Sequence, residues 1–197
     1  AALLGTTAIN YTLVGDPGTF LQGLAVAAKW LIESEVDGCL VVGAEEMDWL
    51  TADAFHHFSR SMVVADGAGA LYLRREPAKA PVVKIEAITS PHVYSNRQTR
   101  SQAAVAARTE LNFSSADSLL VGSQQGVRKL DDAEINAWHG WPGAQLHPRK
   151  ILGDGLMAAA AWQCVAAIDA LQQKRFSRAV VSIVGNNQQA VAAQFTS

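Results

Sequence analysis

Charge is the first thing this chain has little of. Only 17% of its 197 residues are charged, against about 25% in a typical soluble domain. The formal net charge is −2, and lysine and arginine form no run. A chain like this lacks the basic footprint that nucleic-acid binding requires. Long apolar runs are also missing, since no stretch reaches the ~18–20 residues of a membrane span. The alanine-rich segment after Gly155 comes nearest, and Gln163 and Asp169 interrupt it. Cysteine is reduced to Cys39 and Cys164, which excludes a disulfide framework. A reducing, cytoplasmic setting is therefore the default, and both thiols read as buried small hydrophobes. No signal peptide is visible, but the chain starts without methionine, which leaves room for an upstream part.

Histidine is sparse and scattered. His56 and His57 are neighbours and point apart on a helix, His92 follows a proline, His139 lies in "WHGWPG", and His147 precedes Arg149 by two residues. No pair has metal-ligand spacing, so no metal is expected. Ser123, His139 and Asp154 make a Ser-His-Asp set on paper only, because the nucleophile-elbow pattern is absent.

What is abundant is small and apolar. The chain is 49% hydrophobic with mean hydropathy +0.09, enough for one domain with a sizeable core or two small lobes. The pattern predicts a strand over 6–14, a "GDPG" turn, and a helix over 19–35 capped by Thr19 or Gly18. "CLVVGAEE" reads as a strand buried on both faces. "TADAFHHF" at 51–58 reads as a short helix with Thr51 as N-cap, and "SMVVADGAGALYLRRE" as a strand with a glycine-rich middle. "EPAKAP" at 76–81 looks like a seam. Strand 82–89, helix 98–111, strand 118–122, helix 131–138, helix 156–174, strand 179–184 and strand 189–195 follow. Alternating strands and helices argue for a layered α/β fold. Helix, then "CLVVG", then "GALYL" rhymes with helix, then "AVVSIVG", then "QAVAAQF", which suggests an internal duplication. Trp138 and Trp141, with His and Gly between them, suggest an interface or a pocket lid.

Five segments, in order, resemble the thiolase-fold condensing enzymes, the β-ketoacyl synthases of fatty-acid and polyketide synthesis. They are "LAVAAKWLIESEVDGCLVVGAEE", "ADGAGALYL", "LVGSQQGVRKLDDAEINAW", "RKILGDGLMAAAAW" and "VVSIVGNNQQAVAAQF". In the second, Asp66 stands where the family usually has Glu. The resemblance implies a thiolase-like layered α-β-α-β-α fold. It implies that residues 1–76 are the remainder of an N-terminal half without its first part, and 77–197 the C-terminal half. It also implies an acyl chain on acyl carrier protein or coenzyme A as substrate, with no resident cofactor.

A decarboxylating condensing enzyme needs a thiolate at a helix N-terminus, two imidazole donors for the developing enolate, and a supporting lysine. By resemblance the nucleophile falls within Pro17, Gly18, Thr19 and Phe20, and no cysteine precedes Cys39. The two histidine positions hold Ser123 and Asp154, and the lysine position holds Arg149. The acyl-pocket gate falls at Val184 and Gly185. Asp154 would put negative charge where an enolate forms. It is expected instead to pair with Arg149 or Lys150, or to cap the following helix.

The resemblance therefore implies a catalytically silent subunit like a chain-length factor. It would form a homodimer, or a heterodimer with an active ketosynthase, and would lack a membrane span. Two alternatives stay open. One is an active acyltransferase with altered residues. The other is a docking scaffold for an acyl carrier protein, using Arg74, Arg75, Lys79 and Lys84.

Overall fold

The computed structural model describes residues 8–76 and 82–197. Its centre is a six-stranded sheet in the order β3-β8-β7-β5-β6, with β4 also on β8. These strands are β3 (Lys84–Ile88), β4 (His92–Val93), β5 (Ser118–Val121), β6 (Ala144–Leu146), β7 (Arg178–Val184) and β8 (Gln189–Thr196). β5 runs parallel to β6 and β7, while β8 is antiparallel to β7 and β3. β5, β7 and β8 are buried throughout apart from Arg178 and Thr196, which fits their largely apolar composition.

Alternation along these strands splits the core in two. Leu119, Val121, Val181, Ile183, Val191 and Phe195 pack against α1 (Thr19–Ile32) and α6 (Leu156–Gln172). Leu120, Val180, Val184, Ala190 and Ala192 pack on the other face. There they meet α3 (Arg97–Leu111) and α4 (Arg128–Ala137). Burying a side chain such as Phe195 or Leu171 completely stabilises the fold by roughly 1.5–3 kcal/mol.

β1 (Gly38–Glu45) and β2 (Gly67–Arg74) form a separate antiparallel ribbon on the far side of α6. α6 is thus sandwiched between two sheets, which explains its composition. Ala158–Ala161, Cys164, Ala167 and Ala170 are all buried, so it needs small residues round its whole circumference rather than one apolar stripe. The glycines of the ribbon serve the same approach. A Cβ at Gly43 would come 2.6 Å from the Met157 carbonyl oxygen, and one at Gly69 would come 2.7 Å from the Ala161 methyl.

The layers run α3/α4, six-stranded sheet, α1/α6, two-stranded ribbon, in agreement with the thiolase-like layering expected. The rhyme between the two helix-strand-strand units is structural too. α1 and α6 end in the same way, with Ser34 (φ 60°) and Lys174 (φ 56°) left-handed. In both, the following amide reaches back to a helix carbonyl: Glu35 N to Trp30 O and Arg175 N to Ala170 O.

Several expectations need correction. Residues 9–14 are irregular rather than a strand, since no described neighbour offers them a ladder; residues 6 and 7 lie outside the described chain. Val14 is 92% exposed. β1 is buried on one face only, with Leu40 and Val42 exposed, because no described layer covers the ribbon's outer face. α2 (Trp49–Phe58) starts two residues early, with Asp48 rather than Thr51 as N-cap; the Asp48 carboxylate accepts from Thr51 N at 2.6 Å. Its first residue, Trp49, is 80% exposed. Trp138 and Trp141 are no lid. Both are buried, edge to face at 5.4 Å, where the turn after α4 folds them into the core. Cys164 is buried as expected, but Cys39 is half-buried beside an open groove. The seam near 76 borders residues 77–81, which lie outside the described chain together with Lys79.

Candidate active site

The site residues gather at the C-terminal ends of β5 and β7. Crevices for ligands form there in open α/β sheets, because the chain turns away from the strand ends in different directions. Ser123 follows β5. Its Oγ donates to Glu134 Oε1 at 2.9 Å and accepts from Val184 N at 3.1 Å. The same Glu134 oxygen accepts from Ser123 N at 3.0 Å and from Ser182 Oγ at 2.7 Å. Ser182 Oγ in turn accepts from Trp138 Nε1 at 2.8 Å. A buried carboxylate on α4 therefore ties together the ends of β5 and β7.

Asp131, one turn earlier on α4, fixes the loop after Ser123. Its two oxygens accept from Gln125 N at 3.0 Å and Gly126 N at 2.9 Å. Gly126 sits at φ +86°, a conformation that favours glycine. Asp131 and Glu134 thus hold the 123–126 loop from one face of the helix, three residues apart.

Asp154 lies between α5 (Arg149–Leu152) and α6. Its backbone is fixed from outside: Asp154 N donates to Val63 O at 2.7 Å, and Ala65 N to Asp154 O at 3.1 Å. Its carboxylate meets the Arg149 guanidinium, and both side chains are only 1% exposed. It also accepts from Leu156 N at 3.0 Å and from Asn186 Nδ2 at 3.1 Å. The pairing with Arg149 is as expected, whereas the N-cap of α6 is Gly155 rather than Asp154. Lys150 is not the partner; its Nζ donates to Gln124 Oε1 at 2.8 Å.

The loop after β7 joins these groups. Asn186 bridges Asp154 and Gln125, accepting from Gln125 Nε2 at 3.2 Å. Val184 ends β7 and Gly185 begins this loop. Val184 is buried, and the Gly185 carbonyl accepts from Arg100 Nε at 3.0 Å and from the Tyr94 hydroxyl. Within the expected nucleophile segment, Gly18 is the N-cap of α1 and offers no side-chain cap. Pro17 is buried in the turn before the helix. Thr19 and Phe20 are buried in the first turn of the helix. The side chain that reaches the site from this turn is Asp16, one residue earlier. His139 is exposed and does not join Ser123. No group of three His, Cys, Asp or Glu suited to a metal ion occurs among the described residues.

Burial dominates the electrostatics of the site's inner residues. Burial pushes Glu134 above the usual carboxylate range, although hydrogen bonds from Ser123 and Ser182 and the nearby Arg149 charge oppose it. Burial also pushes Tyr94 up to about 12 and raises the Cys164 thiol. Burial and the neighbouring Lys150 charge lower His147. Glu45 is raised, chiefly by desolvation, with the Asp154 charge adding to it.

Glu134, Asp16, Asn186 and Gln163 were not picked out as site residues in the sequence. Glu134 was visible only as part of the "DDAE" helix start. Gln163, fully buried on α6, donates to Ser182 O at 2.9 Å, and only its place between the sheets reveals that.

This architecture has known counterparts. A type II polyketide ketosynthase, solved with its acyl-carrier protein and bound to the hexaketide, superposes with TM-score 0.77 at 13% identity, over 100% of this chain and 60% of that one. The ishigamide ketosynthase/chain length factor gives TM-score 0.78 at 18% identity, over 99% and 59%. The fold is thiolase-like. β-Ketoacyl-[acyl carrier protein] synthase III from Thermus thermophilus shares this thiolase-like fold with TM-score 0.62 at 18% identity, over 100% and 70%. The chain thus spans about three fifths of the length of the first two. Residues 17–91 match the family of 3-oxoacyl-[acyl-carrier-protein] synthase III. No curated protein matches the sequence. No helix among the described residues is long and apolar enough to cross a membrane.

Proposed function

We propose that this chain is a β-ketoacyl synthase-like subunit of fatty-acid or polyketide biosynthesis that does not itself condense. It completes a dimer with an active ketosynthase and shapes the acyl pocket at the seam. The observation that carries this reading is the buried Arg149–Asp154 pair. Where an enolate would need hydrogen-bond donors, the chain places a carboxylate already neutralised by its own arginine. Ser123 is engaged in the same manner, donating to Glu134 and accepting from Val184 N, so it offers no free donor.

Residues 1–76 are read as the remainder of an N-terminal thiolase-like half and 77–197 as the C-terminal half. The two separate sheets and the matching ends of α1 and α6 support this division. The ribbon's open face, with Leu40, Val42 and Tyr72 exposed, supports an assembly in which further protein covers it. An acyl carrier protein is a second partner, by analogy with the solved ketosynthase complex. The exposed Arg74, Arg75 and Lys84 suit an acidic carrier.

The test is a condensation assay with acyl and malonyl thioesters on carrier protein. The chain alone yields no product, and adding it to an active ketosynthase changes the product-length distribution. Product from the chain alone refutes the reading.

A second reading, an acyltransferase with altered residues, is favoured by one contact. Ser123 Oγ donates to a buried carboxylate whose pKa is raised, as a nucleophile and its base would be arranged. Incubation with a reactive acyl thioester and mass spectrometry decides it: an adduct on Ser123 supports this reading, and an unmodified chain removes it.

A further inference from the structure

The outer face of the β1–β2 ribbon has a polarity along its length. Alternation sends Val41, Leu71 and Leu73 inward to the core, and the residues between them outward. Register then sets the outward residues in rows. At one end Gly38 lies opposite Arg74, and next to them Leu40 lies opposite Tyr72. Val42 opposite Ala70 makes the middle row, and Ala44 opposite Ala68 the row after it. Past the end of the ladder come Glu46 and Asp66, both exposed. The Asp66 carboxylate accepts from Met47 N, which keeps the two segments side by side there. One end of the face is therefore basic and the other acidic, and the apolar middle runs from large side chains to small. A side chain at Gly38 would overlap the Tyr72 hydroxyl, so this glycine lets the Tyr72 ring lie over the ribbon. Among the described residues neither Arg74 nor Glu46 has an ion-pair partner.

We propose that two copies of this chain pair through this face, ribbon on ribbon, about a two-fold axis that crosses the strands at the Val42–Ala70 row. Such an axis reverses the strands of one copy against those of the other. It sets Leu40 and Tyr72 of each copy over Ala44 and Ala68 of the other, large against small. It also sets Arg74 of each copy at the Glu46–Asp66 end of the other, so opposite charges meet at both ends. With like ends together, Arg74 would meet Arg74 and Tyr72 would meet Tyr72, which adds repulsion and leaves the small end unfilled. A face eight residues long and two strands wide falls short of the about 1,200 Å² that a stable interface buries, so the pairing is weak and depends on concentration. The proposal goes beyond the function proposed above, since a ketosynthase partner requires no contact between two copies of this chain.

Sedimentation velocity over a concentration series tests it on wild type, Arg74→Glu, Glu46→Arg and an equal mixture of the two variants. Wild type is expected to pass from monomer to dimer as concentration rises. Each variant alone brings like charges together at both ends of the pair, and its association is expected to weaken about tenfold or more. The mixture is expected to regain wild-type association, because a pair made of one copy of each variant again sets opposite charges together at both ends. Both substituted side chains are exposed, and circular dichroism confirms that the variants are folded. Wild type that stays monomeric up to about 1 mM overturns the proposal. A mixture that associates no better than its components overturns it too, because the basic and acidic ends then do not meet. A chain that is monomeric by itself and binds a ketosynthase or a carrier protein through Arg74 assigns the face to that partner, and equally overturns it. None of these outcomes alters the condensation assay, so the two readings fail separately.

Discussion

Asp154 and Arg149 form an ion pair in which both side chains are 99% removed from solvent. A charge pair at this depth has given up its hydration, and its members depend on each other. Asp154→Asn leaves the arginine buried without a counter-charge and is expected to cost about 3–5 kcal/mol. Arg149→Met should cost a similar amount, and the double variant less than the sum of the two. Chemical denaturation of all four proteins measures the coupling.

Glu134 gives the pair's neighbourhood a pH signature. Its folded pKa is raised above the ordinary value of 4.5, so the folded state binds its proton more tightly than the unfolded chain does. This stabilisation is fully present below the unfolded pKa and is lost as pH rises through the folded pKa. Glu134→Gln keeps a neutral side chain of the same shape and has no proton to lose. Wild type minus Glu134→Gln stability should therefore fall as pH rises from about 4 upward, until the folded carboxyl has ionised. A difference that is flat with pH contradicts the assignment.

The matched ends of α1 and α6 make a stability prediction without chemistry. Ser34 and Lys174 hold left-handed backbone that glycine adopts without strain. Ser34→Gly and Lys174→Gly should each stabilise by about 0.5–1 kcal/mol, and the two should add, since the sites sit on different elements. Denaturant midpoints at constant m-value test this.

The close approach of α6 to the ribbon predicts the opposite sign. Gly69→Ala places a methyl 2.7 Å from the Ala161 methyl, with the α6 backbone behind it. The expected cost is about 1–3 kcal/mol, from overpacking. Replacing the exposed Ala70 next to it by Ser should change stability by less than about 0.5 kcal/mol.

Much of this was legible in the chain itself. The strands expected at 118–122 and 179–184 are there as β5 and β7. The alanine run of α6 marked a helix that something approaches closely. Order and content of the motifs carried the fold class. That Ser123, Arg149 and Asp154 fall at the family's reactive positions is an expectation from the resemblance alone.

The tertiary structure decided what these three side chains touch. Spacing allowed Asp154 to pair with Arg149 or with Lys150, and only the turn of α5 chose Arg149, sending Lys150 to Gln124. "CLVVG" looked fully buried and is not, since a strand's outer face is covered by whatever layer lies beyond it, and that layer is no property of the strand. Asp16 read as an ordinary turn residue, although its four donors come from Gly18 and from Gln188 and Gln189 at the other end of the chain. Local sequence sets period, caps and turns through contacts a few residues apart. A buried charge finds its partners through contacts up to 173 residues apart, and those exist only once the sheets have closed around α6.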